Sequence, residues 1–260
     1  MHKKILFGLA FLVLLAGLAW ASNEPWKAKP YQQWDKADLE VVLNNSPWAK
    51  KVVVDVSWKP GPSSGGQPGV PASDQTAELR QHIDTQKGGA PDTSPPDASM
   101  NSVGSAGATS TSPKTPFFIR WYSSRVVREA LAREAIVNGK ISEAEGAKLL
   151  AEPVTEYEII VFGPDMTPFQ NLTEDQLKSA SSLEGKQSKQ KVAPASVRMK
   201  KGPDGRTNSI AFFFPKKTGS GADVASAQEK GFEFACKLKG LNLRNEFDTR
   251  EMVDENGPDF

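Results

Sequence analysis

Three glutamates on predicted β-strands are the residues of this chain best suited to acid–base chemistry. Glu156 and Glu158 lie two positions apart in one alternating run, and Glu233 lies in another. Side chains two apart on a strand share a face, and a glycoside hydrolase needs two carboxylates that flank one sugar bond. A solvent-exposed strand face is the alternative. We favour that alternative for Glu156 and Glu158, because Tyr157 and Ile159 alternate with them as a core-facing row.

Histidine and cysteine are too scarce for most other site chemistries. The chain has two histidines, His2 near its start and His82 in a Gly/Pro/Ser-rich tract, and one cysteine, Cys236. Ser-His and Cys-His catalysis and Cys/His zinc sites are therefore nearly excluded. A nucleophilic or intermolecular role for Cys236 is the weaker interpretation, since it falls in phase with Phe232 and Phe234 and so reads as a core residue. No P-loop or dinucleotide motif is present, and we predict no metal site and no cofactor.

A short run combines arginine with aromatic residues, the types that dominate binding hot spots. It contains Arg120, Trp121, Tyr122 and Arg125, at the junction of a predicted strand and a predicted helix. These four residues are candidate partner contacts, and ordinary packing is the alternative.

Tryptophans are concentrated near the N-terminus, where four of the six lie between residues 22 and 58. Aromatic side chains at this density could form a glycan-binding surface, with Trp26, Trp34 and Trp48 as its candidates. We favour the other interpretation, in which a segment too small to fold alone docks through these side chains onto the larger domain.

The charges nearly balance over the whole chain but separate locally. The 32 Lys and Arg face 31 Asp and Glu, which argues against a nucleic-acid partner. Residues 186–206 carry a net charge of +6 and residues 246–260 carry −5. The basic stretch could contact an anionic lipid or polymer, although a solvated loop is the favoured interpretation. We expect the acidic end, 254–260, to be a solvated tail rather than a calcium loop.

Residues 1–21 have the pattern of a secretory signal peptide. Lys3 and Lys4 precede the uncharged run from Ile5 to Trp20, and Ala19-Trp20-Ala21 fits the small-x-small cleavage pattern. The run is 16 residues long, shorter than the roughly 20 needed to span a bilayer, so we favour cleavage over a membrane anchor. We therefore expect a protein exported to the periplasm or the extracellular space, touching the membrane only through this signal peptide before cleavage.

A long compositional break follows the small N-terminal segment, 22–58. That segment reads as a helix after Asp35 and then a strand over 52–58. Residues 59–115 contain 25 Pro, Gly and Ser in 57 positions and no aromatic residue. Such a stretch buries too little apolar surface to offset its ordering entropy, so we predict a disordered linker.

The main domain is expected over residues 116–253, with three helices predicted from N-terminal caps. The caps are Ser124, Ser142 and Thr173, and the third helix is expected to run through Leu177 toward Leu183. Alternating runs predict strands before the first helix and around Tyr157.

Two hairpins complete the main domain. They cover residues 197–215 and 231–248, and the second turns at Gly240. We predict an α+β fold: a twisted, mainly antiparallel sheet of about five strands with two to three helices on one face. The strand at 52–58 is expected to extend its edge. A sandwich is the alternative, but the three capped helices favour α+β.

These features favour an exported, soluble, non-enzymatic interaction protein whose partner is an envelope protein or a glycan. The second hypothesis is a carboxylate-dependent, glycosidase-like hydrolase acting on an envelope or extracellular polysaccharide. The third is a glycan-binding module that uses the N-terminal tryptophans.

Overall fold

A computed structural model describes residues 24–55, 114–225 and 228–260. The predicted signal peptide and nearly all of the predicted linker lie outside these ranges. The last three residues of the strand predicted at 52–58, which include Trp58, lie outside them as well.

The N-terminal segment folds as two short helices, a 3₁₀ turn and a strand. They are α1 (Pro25–Ala28), a 3₁₀ turn (Tyr31–Gln33), α2 (Lys36–Asn44) and β1 (Ala49–Asp55). Asp35 caps α2 as predicted: its carboxylate accepts from the backbone of Asp38, whose side chain accepts in return from the backbone of Asp35. The strand begins three residues earlier than predicted, at Ala49.

Five antiparallel strands form the first sheet, in the order β1-β2-β3-β7-β6. The other four are β2 (Lys114–Trp121), β3 (Glu156–Phe162), β6 (Ser196–Lys201) and β7 (Thr207–Pro215). The N-terminal strand β1 pairs with β2 at the edge, with Asp55 opposite Lys114. Lys114 and Thr115, expected in the linker, therefore belong to the sheet.

Two capped helices connect β2 to β3. They are α3 (Arg125–Val137) and α4 (Glu143–Ala151). The Ser124 side chain accepts from the backbone of Val127, and Ser142 forms a capping box with Glu145. Gly139 follows α3 with a φ of 66°, a left-handed conformation that glycine adopts without steric cost. Both helices were predicted from their caps, Ser124 and Ser142.

A second antiparallel sheet has the order β5-β4-β8-β9. Its strands are β4 (Ser181–Gly185), β5 (Lys191–Val192), β8 (Phe232–Leu238) and β9 (Leu241–Phe247). The helix capped by Thr173, α5 (Glu174–Ala180), ends before β4. The expected extension toward Leu183 is therefore wrong, because Leu183 is a buried strand residue opposite Phe234.

The two sheets pack against each other through aromatic side chains. The ring of Phe234 lies 5.2 Å from that of Phe212, and Trp121 contacts Phe232 and Phe247 at 5.7 and 5.1 Å. The α+β class and the five-stranded antiparallel sheet are confirmed. The arrangement differs in that the second hairpin builds its own sheet, which covers the face of the first sheet that we had assigned to helices.

The C-terminal segment is packed in part: Asp259 is buried, whereas Glu255, Asn256 and Pro258 are exposed. The last two elements of the chain are the short strands β10 (Val253–Asp254) and β11 (Gly257–Pro258). A further 3₁₀ turn (Thr167–Phe169) lies in mid-chain, between β3 and α5. Asp259 is 8% exposed, and the Phe260 ring lies 5.9 Å from that of Phe232. The expectation of a solvated acidic tail at 254–260 agrees with the exposure of Glu255 and Asn256, but it is corrected for Asp259, which caps α3 from within the fold.

Candidate functional site

A surface groove of about 980 Å³ lies on the outer face of the five-stranded sheet. Its floor includes Glu158 on β3 and Ala211 and Phe213 on β7. These residues project outward because alternate side chains of β3 and β7, such as Ile159 and Phe212, fill the core between the sheets. We call this feature the outer groove.

The floor of the outer groove combines an aromatic ring with charge. Phe213 lies directly opposite Glu158 across the β3–β7 pair. The guanidinium of Arg198, on the neighbouring strand β6, stands 4.8 Å from the centre of the Phe213 ring. This is a cation–π contact, and it leaves an exposed arginine above a half-buried aromatic surface.

One wall of the groove is fixed by Arg128. Its guanidinium donates to the carbonyls of Leu149 and Glu152 at 2.6 and 3.0 Å, and so closes the C-terminal end of α4. Burial lowers the pKa of Arg128 from its usual value, but the group stays charged near neutral pH because arginine starts so high. Residues 152–156 come directly after α4 and form part of the same wall. The bonds from Arg128 therefore hold the start of this stretch against α3.

The opposite wall belongs to the basic stretch noted in the sequence. Arg198, Lys200 and Lys201 of β6 line it, together with Glu174 from the first turn of α5. Four basic and four acidic side chains line the groove, so its formal charge is zero. The set consists of Arg128, Arg198, Lys200, Lys201, Glu152, Glu156, Glu158 and Glu174.

The groove joins features that are far apart in the sequence. It takes Tyr122 from the arginine–aromatic run, Glu156 and Glu158 from the carboxylate candidates, and the basic strand β6. Glu233 is not brought to it: this glutamate lies on β8 of the other sheet, 3.5 Å from Arg244.

Two of the four residues in the arginine–aromatic run are buried. Arg120 is 2% exposed, its Nε donates to the Leu43 carbonyl at 2.9 Å, and its guanidinium lies 5.1 Å from the ring of Phe162. Burial lowers its pKa to about 10. Trp121 is fully buried between the sheets. The expectation of a surface contact at Arg120 and Trp121 is therefore corrected to a packing role.

The other two residues of the run lie nearer the surface. Tyr122 lines the outer groove. The side chain of Arg125 is 38% exposed and pairs with Asp254 of the C-terminal hairpin. Only Tyr122 of the four thus belongs to the groove.

The N-terminal tryptophans pack inside the fold. Trp26, Trp34 and Trp48 are 7%, 2% and 0% exposed. Trp26 meets Trp48 edge-to-face at 5.3 Å, and the Trp34 indole donates to the Lys29 carbonyl at 3.0 Å. A glycan cannot stack on these buried rings, so the expected surface at Trp26, Trp34 and Trp48 is corrected. They dock the N-terminal segment instead.

Cys236 lies at the centre of β8 and is fully buried. Burial raises the pKa of its thiol to about 11, so little thiolate forms at neutral pH. This buried position agrees with the packing role predicted from the sequence, where Cys236 alternates with Phe232 and Phe234 on one face of the strand.

Phe213 and Arg198 were not singled out from the sequence as site residues. The signal for Phe213 was present, since Ile210, Phe212 and Phe214 define the core row of β7 and leave Phe213 outside it. The stacking of Arg198 on that ring depends on the register of β6 against β7, which the turn at 202–205 sets and the sequence pattern alone does not.

Comparison of the chain with models of known protein families, with curated proteins and with solved structures found no match. Within the described ranges, no helix has both the length and the apolar character to cross a membrane. The same residues contain no cluster of three or more His, Cys, Asp or Glu placed to hold a metal ion.

Proposed function

We propose that this protein is an exported, non-enzymatic binding protein that holds an extended segment of a partner polypeptide in the outer groove. The observation that carries the proposal is the groove itself. At about 980 Å³ it is the size of a ligand site, and it presents an aromatic floor between charged walls.

The distribution of charge in the groove favours a polypeptide partner. One wall carries Arg198, Lys200 and Lys201 with Glu174, and the other carries Glu152 and Glu156 with Arg128, so the two walls have net charges of opposite sign. A segment with an apolar side chain over Phe213 and opposite charges on its two sides would complement both walls. Charge complementarity of this kind fixes orientation and speeds association more than it raises affinity.

Contacts within the groove support a binding role for its residues. Arg198 stacks on Phe213 at 4.8 Å, and arginine and aromatic residues are typical of interface hot spots. Arg128 is already bonded to the carbonyls at the end of α4, so it shapes the groove rather than reaching a ligand.

The experiment combines site-specific crosslinking with measured affinity. A photoreactive residue replaces Lys201 in the groove wall or, as a control, Asn242 on the outer face of β9. We expect the groove position alone to capture a defined partner from envelope extracts. The purified partner should then bind the unmodified chain, with its contact mapped to one segment.

A charge reversal tests the same groove quantitatively. Arg198→Glu should weaken the partner's affinity by about tenfold or more, because it removes the stacked cation. Arg244→Glu is the matched control, because Arg244 is an exposed arginine on the other sheet and its reversal should leave affinity unchanged. Equal loss in both variants would contradict binding in the groove.

A carboxylate-dependent hydrolase is the second candidate, favoured by Glu156 and Glu158 lining the same groove. Their side chains project from the same face of β3, and the hydrolase would require their carboxyl groups to flank one glycosidic bond. Turnover of envelope or extracellular polysaccharides that is abolished by Glu158→Gln would support it. No turnover by the unmodified chain would remove it.

Export is the remaining part of the proposal, and it depends on the signal pattern at residues 1–21. Mass spectrometry of the protein isolated from the envelope or medium should show a chain that begins at Ser22. A cytoplasmic protein that retains Met1 would contradict export.

A further inference from the structure

Strand β1 forms one edge of the five-stranded sheet, and its hydrogen-bonding pattern shows which of its backbone groups face outward. The amide of Trp121 donates to the Trp48 carbonyl at 2.7 Å. This bond flanks the pair formed by Ala49 and Arg120, which is therefore a pair without direct hydrogen bonds. Pairs with and without direct bonds alternate along two antiparallel strands. The residues of β1 that bond directly to β2 are thus Lys50, Val52 and Val54.

The alternate residues of β1 turn their amides and carbonyls away from β2. At Ala49 these outward groups are satisfied, because they exchange hydrogen bonds with the backbone of Ser46 at 3.1 and 3.3 Å. Lys51, Val53 and Asp55 occupy the following outward positions. We call this outward row of backbone groups, one amide and one carbonyl from each of Lys51, Val53 and Asp55, the β1 edge.

The β1 edge has no hydrogen-bond partner among the described residues. Strand β9, at the edge of the second sheet, comes close to β1 without joining its ladder. Pro116 lies opposite Val53 in β2, which agrees with the pattern because proline has no N–H to donate across the pair. A row of unpaired backbone groups of this kind is a template for a further strand.

The side chains along the β1 edge complement those of a second copy. Val52 and Val54 turn toward the core, so Lys51, Val53 and Asp55 share the outer face. Val53 is 52% exposed, and the basic Lys51 and the acidic Asp55 are exposed two positions to either side of it. Neither charge has an ion pair with another described residue. A second β1 that runs antiparallel about Val53 therefore sets each Lys51 opposite an Asp55.

We propose that two copies of this chain associate through their β1 edges, antiparallel and with a two-fold axis at Val53. In this register the two Val53 residues bond to each other directly, as do both pairs of Lys51 with Asp55, so every group of the β1 edge gains a partner. The contact uses the same surface on both copies, as two-fold dimers do. It joins the two five-stranded sheets into one sheet of ten strands.

Charge and hydrogen bonding together select this register. Neighbouring registers that keep outward groups facing each other differ from it by two residues. Each of them places Val53 opposite a charged side chain and breaks both pairs of Lys51 with Asp55. The bonded turn at Ser46 closes the edge beyond Lys51, so the pairing cannot extend in that direction.

The dimer is expected to be reversible. The pairing runs from Lys51 to Asp55 on each copy, far less than the roughly 20–30 residues a side of a standard interface, so its population should depend on concentration. It lies at the β1 side of the sheet, whereas the outer groove is formed on β3, β7 and β6. Loss of the dimer and loss of partner binding can therefore be measured separately.

Two charge reversals and their mixture test the inference by sedimentation equilibrium of the purified chain. Lys51→Asp alone sets aspartates opposite each other, and Asp55→Lys alone sets lysines opposite each other. Each should raise the dissociation constant of the homodimer by about tenfold or more. An equimolar mixture of the two variants restores both opposite-charge pairs, so it should form heterodimers about as readily as the unmodified chain dimerises.

The double variant separates the dimer from local stability. Asp55 lies opposite Lys114 in the β1–β2 pair, so Asp55→Lys also places two lysines together inside one copy. Lys51→Asp combined with Asp55→Lys keeps that internal change but restores both pairs between copies, and we expect it to dimerise again. A double variant that stays monomeric while circular dichroism shows it folded would contradict the proposed register.

Disulfide trapping locates the contact. Val53→Cys brings two thiols together, because the α-carbons of a directly bonded antiparallel pair are about 5.5 Å apart, within the range of a disulfide. Val137→Cys is the matched control, since Val137 is 54% exposed at the end of α3. Cys236 is buried and offers no competing thiol. Oxidation should yield a covalent dimer from Val53→Cys alone.

Three outcomes would overturn the inference. They are an unmodified chain that is monomeric at high micromolar concentration, a mixture of the two charge-reversed variants that does not associate, and equal trapping at positions 53 and 137. Trapping of Val53→Cys onto a different protein in an envelope extract, without the homodimer, would assign the β1 edge to another occupant and overturn it as well.

Discussion

Arg120 shows how a residue type typical of interfaces can serve the core instead. It projects from the outer side of β2, yet its guanidinium is enclosed between the Leu43 carbonyl and the Phe162 ring. It thereby links the end of α2 to the five-stranded sheet. The sequence indicated an arginine beside aromatics, but the position of α2 decides whether such a side chain is exposed.

Replacing Arg120 should therefore destabilise the protein strongly. Arg120→Ala removes the donors to the Leu43 carbonyl and leaves a cavity, at a cost of about 2–4 kcal/mol. Urea denaturation measures the change in the free energy of unfolding. Arg244→Ala, which breaks an exposed ion pair with Glu233, is the control and should cost about 1 kcal/mol or less. A similar small loss for Arg120→Ala would show that its buried bonds contribute little.

At the scale of elements, the helix starts were the most predictable features. Asp35, Ser124, Ser142 and Thr173 each accept the backbone hydrogen bond expected of a cap. Capping is local, because the capping side chain and the backbone amides that donate to it lie within three residues of each other, and so sequence alone contains the required information.

Strand membership was less predictable because it depends on distant partners. The alternation of 231–248 showed which side chains face a core, but it did not show that β8 pairs with β4 rather than with the first sheet. The strand β4 itself offers only Leu183 as an apolar signal directly after a helix. For the same reason, the sequence located Glu156 and Glu158 on one face but not the groove around them.

The capping box of α4 permits a test at this scale. Ser142 accepts from the Glu145 amide, and the Glu145 side chain accepts from Ser142. Ser142→Ala should lower the free energy of unfolding by about 1 kcal/mol. Ser220→Ala, in an exposed turn, is the control and should change it by less than about 0.5 kcal/mol. Thermal unfolding followed by circular dichroism measures both changes. An equal loss of unfolding free energy in the two variants would contradict the stabilising role of the cap.

Over the whole molecule, the N-terminal segment is part of the fold rather than an appendage. Its strand β1 is the edge of the five-stranded sheet, Trp48 is fully buried, and the Trp48 indole donates to the Asp259 carbonyl near the C-terminus. The long stretch between β1 and β2 therefore connects two strands that pair with each other. This pairing docks the N-terminal segment onto the larger domain, together with the buried tryptophans from which docking was predicted.

The register of that pairing yields a prediction about chain connectivity. Because Asp55 and Lys114 are opposite each other at the end of the β1–β2 pair, a two-residue turn can join them directly. Replacing residues 56–113 by Asn-Gly, the sequence that favours a type I′ hairpin turn, should preserve cooperative unfolding. Shortening a connection also reduces the entropy lost on folding by a modest amount, so the melting temperature should stay the same or rise by a few degrees. Differential scanning calorimetry measures it, and an Ala-Ala turn of equal length controls for turn chemistry, with a lower melting temperature expected. Loss of a cooperative transition in the Asn-Gly chain would show that residues 56–113 contribute to the stability of the sheet, and not only to its connection.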